Sequence, residues 1–153
     1  MYRNILVPVD GSPTAGRALH EAIELARSLG SCLRVLHIVN SAYWIAPGAT
    51  PGGADDLFTQ MRSSGESIVH EATVAARAAG VEVDGKLLEA PGQHAGDFIL
   101  DEARAWPAHL IVCGTHGRSG LRRLLMGSDA EYVVRHSAVP VLLVRSPALT
   151  APR

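Results

Sequence analysis

The chain is poor in lysine and cysteine and has no long apolar run. Lys86 is the only lysine among 14 basic residues, so a mechanism that needs a lysine has a single candidate. Cys32 and Cys113 form no Cys-x-x-Cys pair, which favours free thiols in a reducing compartment over a disulfide framework. The sequence has neither the roughly 18 consecutive apolar residues of a membrane span nor a signal-peptide pattern. We therefore expect a soluble, cytoplasmic protein with no membrane partner.

An excess of charge of one sign is also missing. The formal net charge is −1 and the sequence pI is about 6.6, so the chain has no global basic field. We therefore expect no nucleic-acid partner, because non-specific binding to nucleic acid depends on such a field. The 153 residues suffice for one domain with its own core.

Apolar runs bounded by turn residues alternate with amphipathic stretches, which is typical of βα units around a parallel sheet. Right-handed crossovers then give the strand order 3-2-1-4-5, a single-domain, Rossmann-like α/β fold with helices on both faces of an open sheet. Strand three alternates charged and apolar residues, which indicates a half-exposed edge. The pattern predicts strands at 4–9, 33–39, 81–88, 109–113 and 141–144, and helices at 13–29, 54–79, 95–106 and 128–136.

Two segments fall outside these predicted elements. Residues 40–53 form a long loop rich in glycine and proline that carries Tyr43 and Trp44, and loops of this length are usually lids, partner surfaces or partly disordered. We expect this loop to be the element that responds to a ligand. Residues 1–145 are assigned to the domain and residues 146–153 to a flexible C-terminal tail.

The predicted strand order also places a binding site. Ligands of open parallel sheets bind at the carboxyl ends of the strands, where the chain reverses direction between two central neighbours, here strands one and four. The residues at that point are Pro8, Val9 and Asp10 from strand one and Cys113 and Gly114 from strand four. Cys32 starts strand two at the opposite end of the sheet, so the two cysteines are expected to be too far apart for a disulfide.

A glycine-rich stretch, GTHGRSGLRRLLMGSDAE, begins at this predicted site. Its spacing is Gly114, two residues, Gly117, nine residues, and then Gly127 and Ser128. Neither a P-loop nor the Rossmann G-x-G-x-x-G pattern fits this spacing, and the stretch has no lysine. The first two glycines let the backbone approach a ligand, and the last two positions begin a helix whose N-H groups favour phosphate.

This spacing resembles that of the universal stress protein family, specifically its ATP-binding branch. The resemblance extends over the opening ILVPVDGS, the strand-two segment VLHIV, the glycine motif and the closing EYVVRHSAVPVLLVR. It implies a stress-response protein that binds ATP. In the family, the positions matching Pro8, Val9, Asp10 and Ile38 line the adenosine end, and those matching Gly114, His116, Gly117, Arg118, Gly127, Ser128, Asp129 and Ala130 surround the ribose and phosphates.

Asp129 departs from the commonest family pattern, in which a small apolar residue stands at this position. A carboxylate about 4 Å from a phosphate would cost on the order of 4 kcal/mol at an effective dielectric constant near 20. Either Asp129 points away as an ordinary acid of a first helical turn, or it helps to hold a divalent cation such as Mg²⁺ or Mn²⁺ beside the phosphates.

The sequence offers no evident catalytic machinery. It lacks the SGGxDS loop of ATP pyrophosphatases, the HIGH motif of nucleotidylyl transferases and the acids of a phosphorelay receiver. Arg118 is a better candidate for contacting phosphate than Arg122 or Arg123, and His116 is expected to donate to a ligand or backbone oxygen. We predict no catalytic residue and at most slow ATP hydrolysis. The alternatives are a slow ATPase using the same pocket and an interaction module without nucleotide.

The two predicted sheet edges differ. Glu82, Asp84 and Lys86 guard strand three against pairing, whereas strand five is short, apolar and protected only by Pro140. We predict a two-fold homodimer in which strand five pairs with its copy and buries Val141 and Leu143, and the resemblance implies the same. The sequence does not identify a protein that this chain would bind and regulate.

Overall fold

The computed structural model describes residues 1–40, 51–90, 92, 94–116 and 126–145. In these ranges strands and helices alternate along the chain. The strands are β1 (Asn4–Pro8), β2 (Cys32–Asn40), β3 (Val83–Ala90), β4 (Leu110–Gly114) and β5 (Val141–Val144), and the helices are α1 (Pro13–Leu29), α2 (Pro51–Ala78), α3 (Ala95–Ala105) and α4 (Ser128–His136). None of these described helices is long and apolar enough to cross a membrane.

The strands form one parallel sheet in the order β3-β2-β1-β4-β5, which confirms the predicted topology. Central strand β1 pairs with β2 on one side, where Asn4 lies opposite Cys32, and with β4 on the other, where Ile5 lies opposite Leu110. Cys32 therefore lies at the edge where the strands begin, and Cys113 lies near the edge where the strands end. Both cysteines are free, as expected.

Each face of the sheet packs on its own pair of helices. On one face Val7, Val35 and Val112 pack with small residues of α1 and α2, and on the other Leu6 and Ile111 pack with α3 and α4. These strand side chains are fully buried, so both faces of the central strands are apolar. This burial on two faces is the physical reason for the continuous apolar runs in the sequence.

Local signals determine where α1 begins and ends. The Ser12 side chain accepts a hydrogen bond from the Ala15 N-H at 3.2 Å, and Pro13 occupies the first helical turn. Gly30 adopts the left-handed conformation at φ 65° and its N-H bonds the Ala26 carbonyl, which ends the helix.

Other predicted boundaries need correction. Helix α2 begins at Pro51 rather than residue 54, because proline is favourable in a first turn, so the expected loop is shorter. Residues 41–50 of that loop, with Tyr43 and Trp44, lie outside the described residues, as does the expected tail at 146–153. Strand β3 is shifted to Val83–Ala90, because the Val81 N-H closes the end of α2 on the Ala76 carbonyl while pairing with β2 continues to Ala90.

An ion-pair network around one buried carboxylate connects α3 to the sheet. The Glu102 carboxylate, only 4% exposed, accepts hydrogen bonds from Arg34 of β2 and Lys86 of β3, both at 2.7 Å. Arg34 also bonds Asp84 and lies over the Trp106 ring, 4.7 Å from its centroid. Lys86 and Asp84, two of the charged residues at the predicted edge of β3, both belong to this network.

Candidate functional site

A cavity of about 350 Å³ opens at the carboxyl ends of the central strands. It lies where β1 and β4 are neighbours although they are distant in the chain, which is the point at which the topology predicts a ligand. Its volume is within the roughly 300–1,000 Å³ typical of small-molecule sites.

The predicted site residues that the structure describes all lie in the wall of this cavity. They come from the ends of β1, β2 and β4 and from the first turn of α4: Pro8, Val9, Asp10, Ile38, Cys113, Gly114, His116, Gly127, Ser128, Asp129 and Ala130. Gly117 and Arg118 lie outside the described residues, and so do Arg122 and Arg123. The wall thus joins segments more than a hundred residues apart in sequence, and its use by a nucleotide stays a prediction.

The rest of the wall is mainly apolar, and the sequence indicates only one of its members, His37, as a core or near-site histidine. These residues come from β2 and from all four helices: Ala15, Leu36, His37, Asn40, Met61, Ala95, Ile99 and Val133. Leu36 and Asn40 have the same parity along β2 as Ile38, so strand periodicity could have found them. The helical residues gave no local signal, because their approach to the cavity depends on how helices pack on the sheet.

The start of α4 is anchored to the end of β4. The Gly127 N-H donates to the Thr115 carbonyl at 2.7 Å, and the Thr115 N-H donates to the Val144 carbonyl of β5 at 3.0 Å. Gly127 is the N-cap residue, and no side chain of the described residues caps this helix. The first-turn N-H groups of a helix have no partner within the helix, so α4 presents donors and a positive dipole end at the cavity wall.

Gly114 is required for a reason that the sequence did not reveal. A Cβ atom at this position would lie 2.8 Å from Thr14 Cγ2 and 3.0 Å from the Thr14 carbonyl carbon and oxygen. We interpreted Gly114 as allowing the backbone to approach a ligand. The structure adds that this glycine lets β4 pack against α1.

His116 presents an unpaired nitrogen in the cavity wall. Its Nδ1 atom lies 2.9 Å from Thr115 Oγ1, whereas its buried Nε2 atom has no hydrogen-bond partner among the described residues. Leaving a buried polar atom unpaired is costly, so this nitrogen needs a partner that the described residues do not supply.

Two further polar side chains at this end are held by backbone groups. The buried His37 Nδ1 lies 2.7 Å from the Val9 carbonyl, and because a carbonyl only accepts, Nδ1 carries the proton. One oxygen of Asp10 accepts from the Ser12 N-H at 2.9 Å. His37 therefore fits the expectation of a core or near-site histidine, and Asp10 is held at the end of β1.

Cys113 contributes an inert thiol to the wall. Burial raises the pKa of this thiol to about 11, so it stays protonated at neutral pH. The side chain therefore acts as a small apolar surface rather than as a nucleophile.

The charged side chains of the described cavity wall are acidic. Asp10 and Asp129 lie in it, whereas its described residues include no lysine or arginine. Within the described part of the chain there is also no group of three histidine, cysteine or acidic side chains that could hold a metal ion. The described side chains therefore do not form a preformed set of ligands for a cation.

Known proteins match this chain over most of its length. The model of the universal stress protein family matches residues 1–145. A universal stress protein of Methanocaldococcus jannaschii is 30% identical over 96% of this chain and 84% of its own length.

Solved structures agree with this match. A universal stress protein family member from Burkholderia pseudomallei is 32% identical, with a TM-score of 0.76 over 95% of this chain and 97% of that chain. The universal stress protein from Archaeoglobus fulgidus, solved in complex with dAMP, is 26% identical, with a TM-score of 0.63 over 94% of this chain and 98% of that chain. Sequence and fold lead to the same conclusion: the chain belongs to the universal stress protein family.

Proposed function

We propose that this protein binds ATP in the cavity at the carboxyl ends of β1 and β4 and acts as a regulatory protein of the stress response. The observation that carries the proposal is the wall of that cavity, which gathers every described member of the predicted nucleotide site. The dAMP held by the Archaeoglobus fulgidus relative supports an adenine nucleotide as the ligand class.

The chemistry of the cavity suits both parts of a nucleotide. Ile38 and Met61 offer apolar surface for a base, and the first turn of α4 offers N-H donors for phosphate. The unpaired His116 Nε2 adds a polar atom for a ribose or phosphate oxygen. A Mg²⁺ or Mn²⁺ ion fits beside the phosphates only if phosphate oxygens and water supply most of its ligands, since the described wall offers just two carboxylates, those of Asp10 and Asp129.

Regulation by the bound nucleotide is preferred to catalysis. The Cys113 thiol of the wall is protonated, and the hydroxyl that lies 2.9 Å from His116 Nδ1, that of Thr115, is buried and is not part of the described wall. A nucleotide that binds one conformation better than another shifts the equilibrium between them, and this would be its role here. The competing function is slow ATP hydrolysis in the same cavity, in which His116 or Asp129 would assist a water molecule.

Mass spectrometry of gently purified protein tests the choice between regulation and slow hydrolysis. Co-purified ATP supports the regulatory function, and co-purified ADP supports slow hydrolysis. Protein without nucleotide that also fails to bind added ATP contradicts both functions and leaves an interaction module whose pocket is vestigial.

We further propose that the protein acts in the cytoplasm, where its two thiols would remain free.

We also propose a two-fold homodimer through β5, as the apolar edge of that strand predicts. Val141 packs partly on the α3/α4 core and Val144 on the α1/α2 core, whereas Leu142 is 41% exposed. Leu143→Asp is therefore a cleaner test than Val141→Asp, because Leu143 is one of the two residues that this interface buries and does not pack on either described core cluster. We expect sedimentation to give a dimer for the wild type and a monomer for Leu143→Asp; a folded variant that is still dimeric contradicts this interface.

A further inference from the structure

Asp129 differs from Asp10, the other carboxylate of the described wall, in having no partner among the described residues. It lies in the cavity wall, in the first turn of α4, and is exposed. Among the described residues it makes no hydrogen bond or ion pair, whereas the Asp10 carboxylate accepts from the Ser12 N-H. Its negative charge is therefore not neutralised by any described protein group.

Glu131, in the same first turn, provides an internal comparison. Its carboxylate pairs with Arg135 at 2.8 Å, and Glu131 is not part of the cavity wall. Both acids can stabilise the helix through its dipole, so helix stability does not explain why one of them faces the cavity unpaired. Asp129 is thus the acid of this turn that a ligand in the cavity would meet.

Two opposing electrostatic effects meet at this helix end. The N-H groups and dipole of α4 act as about half a positive charge, and His116 Nε2 offers one further polar contact. Asp129 repels every negative charge placed beside it. Each additional phosphate increases the repulsion, whereas the number of described donors at the helix end stays fixed.

We infer that Asp129 selects nucleotides by phosphate charge: without a divalent cation, the cavity prefers an adenine nucleotide with one phosphate to the triphosphate. A divalent cation bound to the phosphates offsets the repulsion, so ATP binding depends on the cation more strongly than AMP binding does. This inference rests on the proposed nucleotide site and adds the residue that sets its charge selectivity.

The test is a set of calorimetric affinities in the presence of a chelator. Adenosine, AMP, ADP and ATP are titrated into the wild type, Asp129→Asn and Glu131→Gln. We expect wild-type affinity to fall from AMP to ATP. Asp129→Asn should raise ATP affinity at least about tenfold, or about 1.4 kcal/mol, and AMP affinity less than about threefold, with adenosine unchanged. Glu131→Gln, the matched control, should keep the wild-type ranking.

Other outcomes overturn the inference. If Asp129→Asn strengthens adenosine and ATP binding equally, the residue acts through shape rather than charge. If wild-type affinity does not fall with phosphate number, Asp129 imposes no selection, although the proposed nucleotide site stands. If the wild type binds none of the four compounds, the proposed function fails and the inference fails with it. Asp129→Ser, which keeps a residue suited to helix starts, serves as the second variant if Asp129→Asn does not fold.

Discussion

A Cβ atom added to Gly114 would lie 2.8 Å from Thr14 Cγ2, at the contact between the end of β4 and the start of α1. Two of the three closest atoms, at 3.0 Å, belong to the Thr14 backbone and cannot rotate away. The first glycine of the motif therefore fixes how closely a helix approaches the strand that carries the cavity.

We predict that Gly114→Ala destabilises the protein by about 1–3 kcal/mol, because overpacking forces backbone shifts. Thermal or denaturant unfolding measures the change. Gly16→Ala is the matched control: it lies inside α1, its Cβ would meet nothing within 4 Å, and alanine should stabilise the helix by about 0.5–1 kcal/mol. Equal effects of the two substitutions would show that the Thr14 contact does not matter.

Glu102 is the basis of a second prediction. Glu102→Gln removes the carboxylate that Arg34 and Lys86 share, and we expect a loss of about 1–3 kcal/mol at pH 7. The loss stays below that of a fully buried pair because the Arg34 and Lys86 side chains are 19% and 40% exposed. The exposed pair of Arg104 with Asp101 provides the control, and Asp101→Asn should cost less than about 0.5 kcal/mol.

The same carboxylate predicts a pH dependence. Burial alone would raise the pKa of Glu102, but hydrogen bonds from Lys86 and Arg34 outweigh burial and lower it. Its stabilising contribution is therefore complete above the ordinary glutamate pKa of about 4.3 and is lost as the pH falls through the lower pKa of the folded state. The stability difference between wild type and Glu102→Gln should shrink between about pH 4 and the acid-unfolding range. A difference that is constant down to acid unfolding contradicts the assignment.

A third prediction concerns Gly65, the glycine by which α2 approaches β2. A Cβ atom there would lie 2.6 Å from His37 Cδ2 and 2.9 Å from Leu87 Cδ1. Gly65→Ala should therefore displace the His37 ring, which lines the cavity, and weaken nucleotide binding several-fold while costing about 1–3 kcal/mol of stability. Ser64→Ala, at the exposed neighbouring position, should change neither quantity. If Gly65→Ala binds nucleotide as tightly as the wild type and is equally stable, the clash with His37 and Leu87 does not occur.

The strand order and α1 were predictable because their signals are local. Alternating apolar runs, the Ser12 cap and the Gly30 stop are each contained in a few residues. The Gly114 contact and the Glu102 network were not, because each depends on the packing of distant segments. Arg34 and Glu102 are 68 positions apart, and in sequence Glu102 resembles any solvated acid of a helix. The cavity was predictable from the strand ends but not from the helices that complete its wall.

The final prediction separates binding from stability at His116. His116→Asn keeps a polar atom near the position of Nδ1, which lies 2.9 Å from Thr115 Oγ1, but removes the buried Nε2 that has no partner among the described residues. Without nucleotide, the variant should unfold at the same temperature as the wild type or higher, because an unpaired buried polar atom costs stability rather than supplying it.

Nucleotide affinity should change in the opposite direction. We expect His116→Asn to bind ATP and AMP about tenfold more weakly, since a hydrogen bond to a charged phosphate contributes about 1.5–3 kcal/mol. His20→Ala, which changes an exposed histidine of α1, is the control and should alter neither measurement. A variant with lower stability and unchanged affinity would make His116 a structural residue. Weaker binding with undiminished stability would instead show that the unpaired nitrogen contacts the nucleotide.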